Sequence, residues 1–139
     1  MRCDEVYLDD VAEEQGNLFR IVVEYNYDLL RFMQNYATTK MRRFIDTGSA
    51  WHCTRFGHEI FEWLGENGFV FKPCAQPQSP FVAEWLGVFY AYAQWEADVS
   101  FEELINRLSP MEIDSPLHDL DVRDAVKRVL QSELYKQAM

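Results

Sequence analysis

His52-Cys53, His58 and Cys74 are the residue types in this chain that could ligate a metal or form a Cys–His nucleophile pair. Zinc sites draw on paired spacings such as C-x2-C or H-x3-H, which set two donors on one helical turn. The step from Cys53 to His58 places those two on different helix sectors, and Cys74 lies across a glycine turn. No metal site is therefore expected. A nucleophilic thiol needs a base beside it, and Cys53 or Cys74 has His52, His58 and His118 to draw on. Such partners meet in space rather than along the chain, so a small Cys/His-dependent enzyme stays open as an alternative reading. Carboxylates are paired at Asp9-Asp10, Glu13-Glu14, Glu102-Glu103 and Asp119 with Asp121. Acid–base catalysis requires two carboxyl groups in unlike environments, one of them desolvated. These pairs fall at helix starts or on helix exteriors, where capping and solubility account for them. Gly65-Glu66-Asn67-Gly68 has no lysine directly behind it and reads as a helix-ending turn rather than a phosphate loop. No serine-centred elbow appears. The basic stretch Lys40-Met41-Arg42-Arg43 could grip a phosphate or an acidic partner, but a solvated helix face complementing a helix dipole is the simpler account. No catalytic residue and no cofactor is assigned.

The elements that position these residues are helical. Apolar residues recur at steps of three and four, predicting five or six helices in one compact all-α domain over residues 1–139, with no convincing strand. A first helix is predicted to begin after Asp9-Asp10 and to turn Val11, Leu18, Ile21, Val22 and Tyr25 inward, with Gly16 weakening its first half. Asn26 marks a break, and Asp28 caps a second helix through Leu29, Leu30, Phe32, Met33 and Tyr36. Thr38-Thr39 interrupts the stripe before Met41, Phe44 and Ile45, and Gly48 ends it. Thr54 is expected to cap a third helix containing Phe56, Ile60, Phe61, Trp63 and Leu64. Phe69-Val70-Phe71-Lys72 reads as a short extended piece without an evident partner, followed by a proline-rich loop. Ser100-Phe101-Glu102-Glu103 fits a capping box, and a last helix is predicted from about Asp119 toward Tyr135.

The segment Phe81–Trp95 is expected to organise this fold. Ser79-Pro80 supplies an N-cap and a first-turn proline for it. On a helix, Phe81, Trp85, Val88, Tyr92 and Trp95 share a face, and Val82, Leu86, Phe89 and Tyr90 fill adjacent sectors. Apolarity on almost every side predicts a central helix wrapped by neighbours. Ala83, Gly87 and Ala91 form a strip of small residues four apart, which lets a second helix backbone approach closely. Core packing is preferred for these aromatics over a ligand pocket or partner groove. Gln94, if buried, must find partners: it either ties loops together or faces a polar ligand.

Composition limits the partners. The formal net charge is −10 and the pI about 4.6. So negative a molecule repels phosphate backbones and anionic membranes, and direct nucleic-acid binding is not expected. The same charge suits a basic or nucleic-acid-binding protein. No apolar run reaches the roughly 20 residues of a membrane span, and Met1-Arg2-Cys3-Asp4-Glu5 opens no signal peptide, so a cytoplasmic location is expected. Cys3, Cys53 and Cys74 are expected as reduced thiols.

The run Trp85-Leu86-Gly87-Val88-Phe89-Tyr90-Ala91-Tyr92-Ala93-Gln94-Trp95, followed by Ser100-Phe101-Glu102-Glu103-Leu104-Ile105, resembles small uncharacterised proteins of bacterial and mobile-element genomes, some of them antitoxin-like. The opening Glu5–Glu13 and Leu117-His118-Asp119-Leu120-Asp121 share that resemblance. It implies a non-enzymatic role beside a toxin or a phage-defence system and carries over no catalytic residues. The leading expectation is a small acidic protein that binds and inhibits or neutralises another protein. One version is antitoxin-like. Another is a mobile-element inhibitor, such as an anti-CRISPR protein, whose carboxylates act as a DNA mimic in a basic groove. The expected contact residues are Asp4, Glu5, Asp9, Asp10, Glu13 and Glu14, and then Glu96, Asp98, Glu102, Glu103, Glu112 and Asp114. A structural homodimer built on the edge of the aromatic helix is the remaining alternative.

Overall fold

A computed structural model describes residues 3–113 and 115–132, with backbone alone at Glu112, Ser115 and Pro116. Among the described residues the chain forms eight α-helices, two 3-10 turns and no strand. The helices are α1 (Glu5–Glu24), α2 (Leu29–Tyr36), α3 (Lys40–Asp46), α4 (Ala50–Cys53), α5 (Gly57–Glu66), α6 (Pro80–Ala97), α7 (Phe101–Arg107) and α8 (Val122–Leu130), with the 3-10 turns at Pro110–Glu112 and Ser115–Asp119. The count exceeds the five or six expected because polar caps split the apolar stripes into short pieces. Thr39 Oγ1 accepts from the Arg42 amide and opens α3, while Asp28 accepts from the Arg31 amide and opens α2. Asn26 turns the chain with φ +61°, and Gly48 closes α3 with φ +81°.

Two predicted starts move. The first helix begins at Glu5, not after Asp9-Asp10, because Asp4 caps it by accepting from the Val6 amide at 3.0 Å. Thr54 does not open the third long helix. It follows the one-turn α4, and α5 starts at Gly57, whose amide is held by Glu14 Oε1 at 2.9 Å. Glycine is required there, because a Cβ would lie 2.7 Å from the Glu14 carbonyl oxygen and the Leu18 nitrogen. Ser100 caps α7 through the Glu103 amide, but the Glu103 carboxylate pairs with Arg107 at 2.5 Å, so only half of the capping box forms. The final helix opens at Asp121, and Tyr135 lies outside the described residues.

The Phe69–Lys72 piece does find a partner. Asp28 N donates to the Lys72 carbonyl at 2.7 Å and Cys74 N to the Asn26 carbonyl at 2.8 Å, pairing the loop with the α1–α2 turn. Gln78 fastens the same turn, accepting from Leu29 N and donating to the Tyr27 carbonyl. Phe71 thereby stacks on Tyr27 at 4.8 Å and lies tilted against Phe61 at 4.9 Å, and Phe69 meets the edge of Phe32 at 5.5 Å. Side chains that look unplaced in the sequence thus join an aromatic seam leading to Phe19 and Phe101 in the core.

α1 and α6 make the most extensive helix–helix contact; α1 also packs on α2, α4 and α5, and α6 on α7 and α8. Their crossing is set by two glycines. A Cβ on Gly87 would sit 2.5 Å from the Gln15 carbonyl oxygen and 2.7 Å from Gly16 Cα, and one on Gly16 would meet Val88 Cγ2 at 2.8 Å. Gln15 Nε2 crosses the seam to donate to the Gly87 carbonyl at 2.8 Å. The strip Ala83, Gly87 and Ala91 is buried, as its spacing predicts. Gly16, unfavourable as a helix residue by about 1 kcal/mol, is used for this approach.

Candidate functional site

With α1 laid over the small-residue strip, the aromatic stripe of α6 is left on the flank. Phe81 is 65% exposed, and Trp85, Val88, Tyr92 and Trp95 are only partly buried, whereas Leu86, Phe89 and Tyr90 fill the interior. The preferred core packing thus holds for Leu86, Phe89 and Tyr90, while Trp85, Val88 and Tyr92 pack against the core with one side open and Phe81 faces solvent. α1 covers the small face, and beyond it the stripe is only partly covered, by Val122 of α8 and by His118, whose ring packs 4.6 Å from Trp85.

The result is an open groove of about 540 Å³ lined by Asp9, Glu13 and Asn17 from α1, Phe81, Glu84, Trp85, Val88 and Tyr92 from α6, and Val122 from α8. The α1 residues recur every four positions, so three successive turns present polar groups along one wall. Asp9 accepts a hydrogen bond from the Tyr92 hydroxyl at 2.7 Å. Burial first, and then this bond and the Asp9 charge, push Tyr92 up to about 12, so it stays a neutral donor. Glu84 is paired with Arg20 at 3.3 Å, and Arg20 with Glu24 at 2.7 Å. The Glu13 side chain makes no hydrogen bond or ion pair with the described residues and is exposed at the rim. Arg123 lies 4.8 Å from the Tyr92 ring centroid and reaches Glu96 at 3.3 Å, closing one end. The groove thus combines a wide apolar floor with carboxylates on one side, a surface suited to a cationic group carried on an apolar stem.

The other expected contact residues are dispersed. Asp4 and Glu14 serve as an N-cap and as an acceptor for Gly57 and Asn17, respectively. Glu5 and Asp10 are exposed on α1. Asp98 and Glu103 line a second cleft of about 460 Å³ with Arg43, Asp46, Thr47, Val99 and Ser100. Glu96 and Glu102 are exposed, Glu112 falls in a 3-10 turn, and Asp114 lies outside the described residues.

Lys40 and Arg43 of the basic stretch lie on an exposed face, as expected, but Arg42 does not. Arg42 is 2% exposed, and its guanidinium donates to Asp46 Oδ1, to Gln15 Oε1 at 2.9 Å and to Gln94 Oε1 while lying over the Phe101 ring. Gln94 Nε2 also donates to Asp46 Oδ1 at 2.6 Å, so Gln94 ties α6 to α3. Beside this network, Tyr36 is pushed up by burial, against the pull of Arg42.

The thiols and imidazoles do not form a Cys–His pair of the kind weighed from the sequence. Cys53 is 3% exposed and directs its thiol to the Ile45 carbonyl at 3.7 Å. Its titration is pushed up, first by the Cys3 side chain and then by burial, which is the wrong direction for a nucleophile. His52 Nδ1 is 2.7 Å from Ser49 Oγ and stacks on Phe44, with burial and Arg55 lowering its titration. His58 is exposed against Phe56, and His118 packs 4.6 Å from Trp85 with Nε2 buried and without a hydrogen-bond partner among the described residues. No group of three His, Cys, Asp or Glu among the described residues is arranged to hold a metal ion, and no described helix is long and apolar enough to cross a membrane. The residues that sequence reasoning did not single out for the groove are Asn17, Glu84 and Val122. The step of four from Asp9 through Glu13 pointed to Asn17, whereas nothing in the sequence brings Val122 to α6.

Comparison with protein-family models, with curated proteins and with solved structures found no match to this chain.

Proposed function

We propose that this protein binds and restrains a basic protein partner, seating a cationic, partly apolar segment of it in the α1–α6–α8 groove. The observation that carries the reading is the convergence of Asp9 and Glu13 with Phe81, Trp85, Val88 and Tyr92 in one open groove. Exposed aromatic and apolar side chains supply binding energy when water is excluded from them. The carboxylates, within a net charge of −10, steer a basic partner and fix its orientation. In this reading α6 is the central element: its small face fixes α1 and its aromatic face meets the partner. The exposed acids Glu5, Asp10, Glu96, Asp98 and Glu102 extend the field around the groove. An antitoxin-like neutraliser fits this chemistry, as does a mobile-element inhibitor that fills a nucleic-acid-binding surface, with the protein acting in the cytoplasm beside its target.

The test is capture of the partner from extract of the native cell, followed by calorimetric titration of the purified pair. Affinity should fall at least about tenfold between about 50 and about 300 mM salt. Asp9→Asn with Glu13→Gln should remove most of that salt dependence, and Phe81→Ala with Trp85→Ala should weaken binding at every salt concentration. A salt-independent affinity, or a complex indifferent to both double variants, rejects the groove as the binding surface.

A further inference from the structure

The acidic surface has a gap over α3, α4 and the start of α5. Residues 37–58 carry four of the 13 basic residues, Lys40, Arg42, Arg43 and Arg55, and one of the 23 acidic ones, Asp46. Arg42 is turned inside and paired with Asp46, so Lys40, Arg43 and the half-buried Arg55 are the cations left at the surface. The side chains of Lys40 and Arg43 make no hydrogen bond or ion pair among the described residues. Beside them runs a strip of uncovered rings, with Phe44 47%, Trp51 55% and Phe56 54% exposed. Phe44 stacks on His52 at 4.5 Å, His52 meets Trp51 edge to face at 4.9 Å, and the Arg55 guanidinium lies over the Trp51 ring at 4.5 Å. Arg55 Nε donates to the Trp51 carbonyl at 2.9 Å, and Glu59 lies 3.7 Å from the same guanidinium. The cation is thereby fixed against the indole before anything binds, which lowers the ordering cost of a contact.

We propose that this strip docks into the α1–α6–α8 groove of a second copy of the chain. The contact rests on the groove being a binding surface, as proposed for the basic partner, and the two occupants exclude one another there. The groove suits a cationic group on an apolar stem, and the strip offers one in the Trp51 indole with Arg55 on its face. In the contact the indole covers the apolar floor of Phe81, Trp85 and Val88, while Arg55 and Arg43 face Asp9 and Glu13. Neither Trp51 nor Arg55 lines the groove of its own molecule, so the strip is open to another copy. Charge complementarity is local: two molecules of net charge −10 repel at a distance. At about 150 mM salt the Debye length of about 8 Å screens that long-range repulsion, while pairs a few ångströms apart still attract.

Sedimentation equilibrium at about 150 mM salt, from about 10 to about 500 µM protein, reads the contact directly. The wild-type mass should rise with concentration from the 16.4 kDa monomer to at least twice that value. Arg43→Glu with Trp51→Ala alters the strip, and Glu13→Lys with Phe81→Ala alters the groove. Each double variant should weaken self-association at least about tenfold. All four side chains are exposed, so both variants should keep the wild-type urea midpoint. Mixed in equal amounts, the two variants should form a one-to-one dimer, because one brings an intact groove and the other an intact strip. Wild-type protein that stays monomeric to about 500 µM overturns the proposal. So does association that survives the groove variant, which means strip pairing with strip, or a mixture that remains monomeric. Failure of the groove itself looks different: the groove variant then leaves both self-association and binding of the basic partner unchanged.

Discussion

Arg42 shows how one side chain can bind three helices together. It enters from α3, pairs with Asp46 on its own helix, and bonds Gln15 of α1 and Gln94 of α6. A guanidinium suits this position, because its planar fork of donors meets several oxygens at once. Burying a charge is unfavourable unless it is paired and fully hydrogen-bonded, and removing one partner leaves the others desolvated and unmatched. Arg42→Met should therefore destabilise the fold by about 3 kcal/mol or more, measured by urea unfolding. Arg43→Met on the neighbouring, exposed position should change it by less than about 0.5 kcal/mol. Equal effects at the two positions would show that the network contributes nothing specific.

At the scale of elements, the α1–α6 crossing decides where everything else goes. Gly16 and Gly87 bring the two backbones close enough that neither position has room for a methyl group. Gly87→Ala removes a helix-weakening glycine, which by itself is worth about 1 kcal/mol in favour of the variant. The added Cβ would meet backbone atoms of Gln15 and Gly16, which cannot swing away as a flexible side chain can. The helices must separate, and the Gln15–Gly87 hydrogen bond lengthens with them. Gly87→Ala should therefore lose about 1–3 kcal/mol in urea unfolding, whereas Gly65→Ala, with open space around its Cβ and an ordinary helical backbone, should be neutral or stabilising. A stabilised Gly87→Ala protein would refute close packing as the reason for this glycine.

Over the whole molecule, 23 acidic residues face 13 basic ones. Several bases are committed within the fold: Arg42 inside, and Arg20, Arg55, Arg107 and Arg123 in ion pairs with glutamates. The surplus of carboxylates repels itself, and surface ion pairs of this kind add little. Added salt should accordingly raise the melting temperature of the isolated protein between about 0.05 and about 0.5 M, as screening relieves the repulsion. This is opposite in sign to the salt effect expected on partner binding. A melting temperature that falls over that range would mean that the ion pairs outweigh the repulsion.

The helical class was legible in the sequence, as were the breaks at Asn26 and Gly48, the caps at Asp28, Ser79 and Ser100, and the close-packing strip Ala83–Gly87–Ala91. Each depends on local backbone preference or on spacing along a single helix. Charge was legible too, because composition carries it. The direction in which the aromatic stripe faces was not legible. On an almost uniformly apolar helix, periodicity does not select an inward side, and the choice fell to whichever face α1 could approach most closely. The same limit applies to Arg42, drawn inside by Gln15 and Gln94 from distant helices, and to the Phe69–Lys72 piece, whose hydrogen-bond partners lie at the α1–α2 turn. Sequence determined the local elements and the overall charge. Tertiary structure decided which apolar surface stayed open, because burial is a competition among faces that only the assembled helices can settle.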